Sequence, residues 1–136
     1  MAAQPLLNDD IERGRRTLTA LDGAGLDIRA AFWVFDEASG DWRFTISEPM
    51  VDTTGTHAVY ERLATPLSGK PDVLPLRDVY VTSPDDPLVA LVRIAISTPA
   101  NANAGINFRG NMVMGTAVPD MYIFRMYRPP ILAGAA

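Results

Sequence analysis

The stretch AAFWVFDEASGDWRFTI, residues 30–46, decides the fold of this chain. The segment 28–35, which overlaps its start, carries apolar residues at both odd and even positions, a pattern typical of a strand covered on both faces. Residues 41–47 alternate apolar with polar side chains, which is typical of a strand with one face toward solvent. The acidic link DEASGD contains Gly40 and favours a loop of four to five residues. The stretch therefore predicts an antiparallel hairpin within a sheet.

The pairing across this loop also predicts where the aromatic rings point. Trp42, Phe44 and Ile46 share one side of their strand, so we expect them to pack in the core with alternate residues of the preceding strand. Trp33 and Phe35 are predicted to point to the opposite face. A helix of this chain, a second copy or a ligand would then cover those two rings.

Two segments that flank the hairpin predict helices. Residues 9–22 follow Asn8, a residue type that caps helices, and carry acidic residues in the first turn, which suits the positive end of the helix dipole. A second helix is predicted to begin within residues 53–56, where three threonines can cap it. It is predicted to end at about Ala64, because Pro66 cannot continue it.

The second half of the chain predicts one more helix and three strands. Asp86 is the expected cap of the helix, with Pro87 at its first position. Its apolar residues cover more than half of the circumference, so we expect this helix to be largely buried. The predicted strands span residues 76–82, 106–118 and 121–127.

At 136 residues the chain fits one domain, and residues 1–7 and 129–136 are expected to form extended or flexible termini. The predicted elements follow the order α-β-β-α-β-α-β-β. Because strands outnumber helices and the connections between them are short, the pattern indicates an α+β fold. We expect two layers, with three helices packed on a mostly antiparallel sheet of about five strands.

Composition excludes several kinds of site and favours others. The chain has no cysteine and a single histidine, His57, so the sequence indicates no metal site, and it predicts no cofactor. A net charge of −4 gives no general attraction for nucleic acid or an anionic membrane. The amino terminus lacks the pattern of a signal peptide, and no apolar run is long enough to span a membrane, so the expected location is cytoplasmic.

One acidic pair could carry chemistry. Asp85 and Asp86 lie where a strand is predicted to meet a helix, and two carboxylates there would favour a cation such as magnesium over an anion. With His57 they would suit a hydrolase or nuclease. Helix capping is the favoured interpretation of the same residues, so the sequence assigns no catalytic residue.

The last predicted hairpin suggests a different function. Met112 and Met114 lie there with Tyr122 and Phe124, and methionine adapts to irregular contact surfaces, although ordinary core filling is the favoured interpretation of the methionines. Three helices of modest length also leave apolar strand residues without cover. The leading hypothesis is therefore a non-enzymatic interaction module that binds itself, as in a homodimer, or another protein. Binding of nucleic acid is disfavoured.

A small-ligand sensory domain is the alternative hypothesis. Its pocket would lie between Trp33 or Trp42 and the predicted strand 106–118, which Gly110 and Gly115 interrupt. Glycines within a strand often mark the close approach of a ligand or of another backbone.

Overall fold

The computed structural model describes residues 5–110 and 112–129, so most of the two termini predicted to be extended lies outside the described residues. The elements follow in the order α1 (Asn8–Gly23), β1 (Ala30–Asp36), β2 (Asp41–Ser47), α2 (Val51–Leu67), a 3-10 turn (Leu76–Asp78), β3 (Val79–Thr82), α3 (Pro87–Ala95), β4 (Ile106–Phe108), β5 (Met112–Val113), β6 (Thr116–Ala117) and β7 (Met121–Met126).

Five of the strands form one mixed sheet in the order β3-β2-β1-β7-β4. β2 and β3 pair in parallel, and the other neighbours pair antiparallel. β5 and β6 form a separate small hairpin. The predicted α+β fold, with three helices and a mostly antiparallel sheet of about five strands, is confirmed.

The hairpin β1–β2 occupies the centre of this sheet, and its register runs from the pair Ala30 and Ser47 to the pair Asp36 and Asp41. Four residues connect the strands, and Gly40 closes the loop at a φ of 76°, a conformation that glycine adopts without steric cost. The sequence prediction for this hairpin is confirmed.

Both faces of the sheet are covered. On the first face, α1 and α2 pack on a core that includes Ala31, Trp33 and Phe44. On the second face, α3 and the β5–β6 hairpin pack on a separate core that includes Ala30 and Phe32. β1 contributes alternate residues to the two cores, as its apolar residues at both odd and even positions predict.

The third helix differs from the prediction in its burial. Its cap is confirmed, because a carboxylate oxygen of Asp86 accepts hydrogen bonds from the amides of Leu88 at 3.0 Å and Val89 at 3.3 Å. Only Val89 and Val92 are buried, however, and Ile94 is 63% exposed. The prediction of a largely buried helix is wrong, because α3 is only nine residues long and meets the sheet on one side.

The prediction of one continuous strand over residues 106–118 is also wrong. The chain leaves the main sheet after β4 and forms the β5–β6 hairpin instead. Gly110 and Gly115 have φ values of 59° and 77°, which turn the backbone where a continuous strand would need an extended conformation. The glycines that seemed to interrupt one strand therefore lie at turns between shorter strands.

The first two helices begin differently from the prediction. α1 starts at Asn8, whose side chain forms no capping bond, with Leu7 in the cap position. α2 is longer at both ends than predicted. Gly55, with φ 86° and ψ 168°, breaks the helix near the predicted start, and Pro66 is accommodated in the last turn.

A bulge in β7 places two successive side chains on the first face. The pairing of β7 with β1 shifts between Phe32 opposite Ile123 and Ala31 opposite Arg125, which leaves Phe124 as the additional residue. Phe124 joins the first-face core, and Arg125 reaches α1 on the same side of the sheet.

Arg125 joins four segments of the chain. Its side chain is 1% exposed, and its two terminal nitrogens donate to the carboxylate of Asp22 at 2.9 and 2.7 Å. It also donates to the carbonyl oxygens of Ile28 at 3.0 Å and Ala102 at 2.9 Å. The guanidinium therefore links β7 to the end of α1, to the chain before β1 and to the loop before β4.

We predict that Asp22→Ala destabilises the protein by about 2 kcal/mol, because it leaves a buried guanidinium without its counter-charge, while the 38% exposure of Asp22 allows water to offset part of the loss. Urea unfolding measures the difference. The matched control is Asp27→Ala, which removes an exposed carboxylate that pairs with Arg29 at 2.9 Å and should cost less than about 1 kcal/mol. Equal losses in the two variants would contradict the assigned role of Arg125.

Gly14 allows α1 to lie directly on the first face. A methyl group at this position would come within 2.6 Å of Nε1 of Trp33, 3.1 Å of the Phe124 ring and 3.2 Å of the Phe44 ring. The helix and the aromatic residues of the sheet are therefore in contact without a side chain between them.

We predict that Gly14→Ala lowers the free energy of unfolding by about 1 kcal/mol. The 2.6 Å contact favours the upper part of the range of about 1–3 kcal/mol that overpacking costs, and replacing glycine in a helix returns only about 1 kcal/mol. Gly23→Ala is the matched control, since a methyl group there meets no atom within 4 Å. Thermal unfolding of both variants tests the prediction, and an equal or higher stability of Gly14→Ala would contradict it.

Candidate functional site

The aromatic residues of the first hairpin lie on one face of the sheet. Trp33 pairs with Phe44 and Phe35 pairs with Trp42 across the hairpin, and directly opposed residues of antiparallel strands point to the same side. The ring centroids of each pair are 5.5 Å apart. The prediction that Trp33 and Phe35 point away from Trp42 is therefore wrong, because the register of the hairpin places Trp33 opposite Phe44 and Phe35 opposite Trp42.

The rings of Phe35, Trp42, Trp33, Phe44 and Phe124 form an aromatic row on this face, and Trp33 lies within it. It is 6% exposed, and its Nε1 atom is buried with no hydrogen-bond partner. Gly14 lies against that atom. The indole therefore packs as an apolar surface under α1, and the helix itself is the cover for which the sequence left three possibilities open.

An open groove begins where this aromatic row reaches the surface. Its volume is about 430 Å³, and it lies between the start of α1, the β1–β2 loop and the segment before β3. Trp33 and Trp42 both line it, as the ligand-binding hypothesis predicts, whereas Gly110 and Gly115 are not among its lining residues. The other lining residues are Pro5, Leu7, Asp10, Arg13, Ser39, Gly40, Asp41, Arg43, Leu74, Asp78 and Tyr80.

Arg43 is a lining residue of this groove, and its side chain points to the second face, because the adjacent Phe44 packs in the first-face core. Its guanidinium lies over the ring of Tyr80, 4.9 Å from the centroid, and forms an ion pair with Asp36 at 2.8 Å. The pKa of Asp36 is lowered from its ordinary value, first by the hydrogen bond from the hydroxyl of Ser39 and also by the amide of Ala38 and the charge of Arg43. Asp36 therefore remains ionised and neutralises Arg43.

Carboxylates predominate among the remaining charges of the groove. Asp10, Asp41 and Asp78 line it, and no ion pair is found for them among residues 5–110 and 112–129. Arg13 is the additional cation of the lining, and within the described part of the chain its guanidinium donates one long hydrogen bond of 3.4 Å, to the carbonyl oxygen of Val73. The groove therefore carries an excess of negative charge.

Tyr122 and Phe124, both candidates from the sequence, lie on the first face away from the exposed hairpin. Phe124 is fully buried, and its ring is 5.5 Å from that of the half-buried Tyr122. The guanidinium of Arg15 lies 5.4 Å from the Phe124 ring. These residues contribute to the contact between α1 and the sheet, so they belong to the core and not to a free surface.

Met112 and Met114 lie together at the surface on the other side of the sheet. They are 68% and 79% exposed, while Val113 between them is 6% exposed and packs in the second-face core. Met114 has a φ of 51°, and it is the one non-glycine residue with positive φ in the described part of the chain. The β5–β6 hairpin, which Val113 fixes to the second-face core, thus exposes two apolar side chains to solvent.

The free edge of β3 is blocked by a side chain of α2. The hydroxyl of Tyr60 donates to the carbonyl oxygen of Val79 at 2.9 Å and accepts from the amide of Val81 at 3.2 Å. These backbone groups are the ones that a partner strand would otherwise bind. Strand addition at this edge is therefore hindered.

The structure does not bring the proposed hydrolase residues together. Both carboxylate oxygens of Asp86 accept hydrogen bonds. One oxygen accepts from the first amides of α3, and the other accepts from the hydroxyl of Thr82, at the end of β3, at 3.2 Å. His57 is 90% exposed on α2, where it pairs with Glu61 at 2.8 Å. α2 and α3 pack on opposite faces of the sheet, and Asp85 lies exposed beside the cap. This geometry favours the capping interpretation.

Within residues 5–110 and 112–129, no group of three or more acidic or histidine side chains is arranged to hold a metal ion. No helix in the described part of the chain is long and apolar enough to cross a membrane. Comparison with known proteins finds no matching family model, no matching curated protein and no matching solved structure. The function must therefore be argued from the geometry of this chain alone.

Sequence reasoning missed Arg43 and Tyr80 as lining residues and Arg125 as a buried ion-pair partner. Alternation along β2 puts Arg43 on the other face from Trp42. The sequence pattern does not reveal that β3 pairs in parallel with β2, which brings Tyr80 beside Arg43. Nothing in the sequence marks the bulge that turns Arg125 inward.

Proposed function

We propose that this chain is a non-enzymatic interaction module that self-associates through the β5–β6 hairpin and the adjacent surface of α3. The observation that carries the proposal is the backbone conformation of Met114 together with its 79% exposure. Catalysis is not part of the proposal, because Asp86 serves as a helix cap and His57 lies on a helix across the sheet. A cytoplasmic location and the absence of nucleic-acid binding remain predictions from the sequence.

Met114 occupies a position that does not suit its residue type. Met114 and Gly115 form the two-residue loop between β5 and β6, and both have positive φ. Such loops favour asparagine followed by glycine, and the left-handed region costs other residues about 1–2 kcal/mol. The exposed methionine recovers little of this cost by packing within the chain. A contact with another molecule would explain why an apolar side chain is retained there.

Further exposed apolar side chains support the same surface. Met112 is 68% exposed on β5, and Ile94 is 63% exposed on α3. Both belong to elements that cover the second face of the sheet, and α3 contacts β5. Flexible, polarisable methionine side chains fit irregular apolar partners well. Together with Met114, these residues offer a contact based on side chains.

A second copy of the chain is the partner that we propose. Because Tyr60 blocks the edge of β3, two copies are hindered from pairing through their β3 strands, and we place the contact on the hairpin surface. A two-fold arrangement would place the same apolar patch on both sides of the interface. Each copy carries a net charge of −4, so screening of the mutual repulsion by salt should strengthen the association.

We predict that Met114→Asn weakens self-association and at the same time stabilises the monomer. Asparagine removes the apolar contact, and it tolerates the left-handed conformation, which should add up to about 1 kcal/mol to the free energy of unfolding. Sedimentation equilibrium measures the association constant, and urea unfolding at a concentration where the protein is monomeric measures the stability.

Leu7→Asn is the matched control, because Leu7 is 62% exposed but lies beside α1, on the first-face side. This variant should leave the association constant unchanged. A wild-type protein that remains monomeric at about 1 mM, a concentration that detects a free energy of association of about −4 kcal/mol, would contradict the proposal. A loss of association in Leu7→Asn but not in Met114→Asn would contradict it as well.

A further inference from the structure

We propose that the groove between α1, the β1–β2 loop and the segment before β3 binds a small organic cation, an amine or quaternary ammonium ion with an apolar body. This site is on the first-face side of the sheet, so it is separate from the hairpin surface. The inference does not depend on self-association.

The size of the groove suits a small molecule. Its volume of about 430 Å³ lies within the range of about 300–1,000 Å³ that is usual for ligand sites. Leu7 and Leu74 provide apolar surface, and Trp33 and Trp42 provide aromatic surface. A ligand with an apolar body would therefore find contacts that an inorganic ion does not use.

The charge of the lining selects for a cation. Asp10, Asp41 and Asp78 contribute three carboxylates without an ion pair among the described residues, whereas Arg13 contributes one guanidinium. Arg43 adds no net attraction for anions, because Asp36 neutralises it at 2.8 Å. The three carboxylates are also not grouped in a way that could hold a metal ion. Carboxylates spread along a groove favour a larger organic cation.

One aromatic ring of the lining already contacts a cation within the chain. The guanidinium of Arg109 lies 6.0 Å from the Trp42 ring centroid. The electron-rich faces of tryptophan and tyrosine recognise ammonium groups by the same interaction. Aromatic surface next to carboxylates that form no ion pair within residues 5–110 and 112–129 is a combination that suits an organic ammonium ion.

Intrinsic fluorescence tests this proposal directly, because the chain has two tryptophans and both line the groove. We expect 2-phenylethylamine, which is protonated at pH 7, to cause a saturable change in emission with a Kd of about 1 mM. Phenylacetate has a similar shape but the opposite charge. It should bind at least about fivefold more weakly, which corresponds to the loss of one or two exposed charge and cation–π contacts.

The variant Asp41→Asn/Asp78→Asn should weaken binding of 2-phenylethylamine by about fivefold, because it removes two lining carboxylates. Glu37→Gln is the matched control, since Glu37 is an exposed carboxylate of the β1–β2 loop outside the lining residues, and it should leave the Kd unchanged. Circular dichroism verifies that each variant is folded.

Three outcomes would overturn the proposal. The first is no saturable emission change with 2-phenylethylamine up to about 10 mM, ten times the expected Kd. The second is binding of phenylacetate as tight as that of the amine, which would show that charge does not select the ligand. The third is a weakening in Glu37→Gln that is as large, per carboxylate removed, as in Asp41→Asn/Asp78→Asn, which would indicate general charge attraction instead of a site.

Discussion

The ion pair between the buried Arg125 and the partly exposed Asp22 is the constraint on which the arrangement of α1 and the sheet depends. A guanidinium that is 1% exposed cannot remain in the core without a counter-charge, because its desolvation costs several kcal/mol. The pair therefore holds the end of α1 against β7. Two further N–H groups of the guanidinium donate to the carbonyl oxygens of Ile28 and Ala102. A bulge in β7 makes the contact possible, since it turns Arg125 toward the helix side.

The aromatic row follows from this position of α1. Once the end of the helix is held beside β7, its earlier turns lie over Trp33, Phe44 and Phe124, and Gly14 permits the close approach. The row reaches the surface where the helix begins, and the groove forms between that end of α1 and the β1–β2 loop. The groove is thus a consequence of how the helix lies on the sheet, and its lining residues come from segments that are distant in sequence.

The two sides of the sheet suit different kinds of contact. The first-face side offers a concave groove with carboxylates and aromatic rings, whereas the second-face side offers an exposed hairpin with Met112 and Met114. β1 separates them and contributes alternate residues to both cores. A ligand in the groove and a partner on the hairpin could therefore bind at the same time.

Local sequence alone determined the β1–β2 hairpin, the cap at Asp86 and the α+β class, because periodicity, turn residues and capping act over a few neighbouring residues. It also singled out Met112 and Met114, and the two tryptophans of the groove. Only the tertiary structure decided which rings share a face, that the residues around Gly110 leave the main sheet, and that Arg125 is buried. Those features depend on register, on a bulge and on pairing between distant segments, and their energies come from contacts that local patterns do not encode.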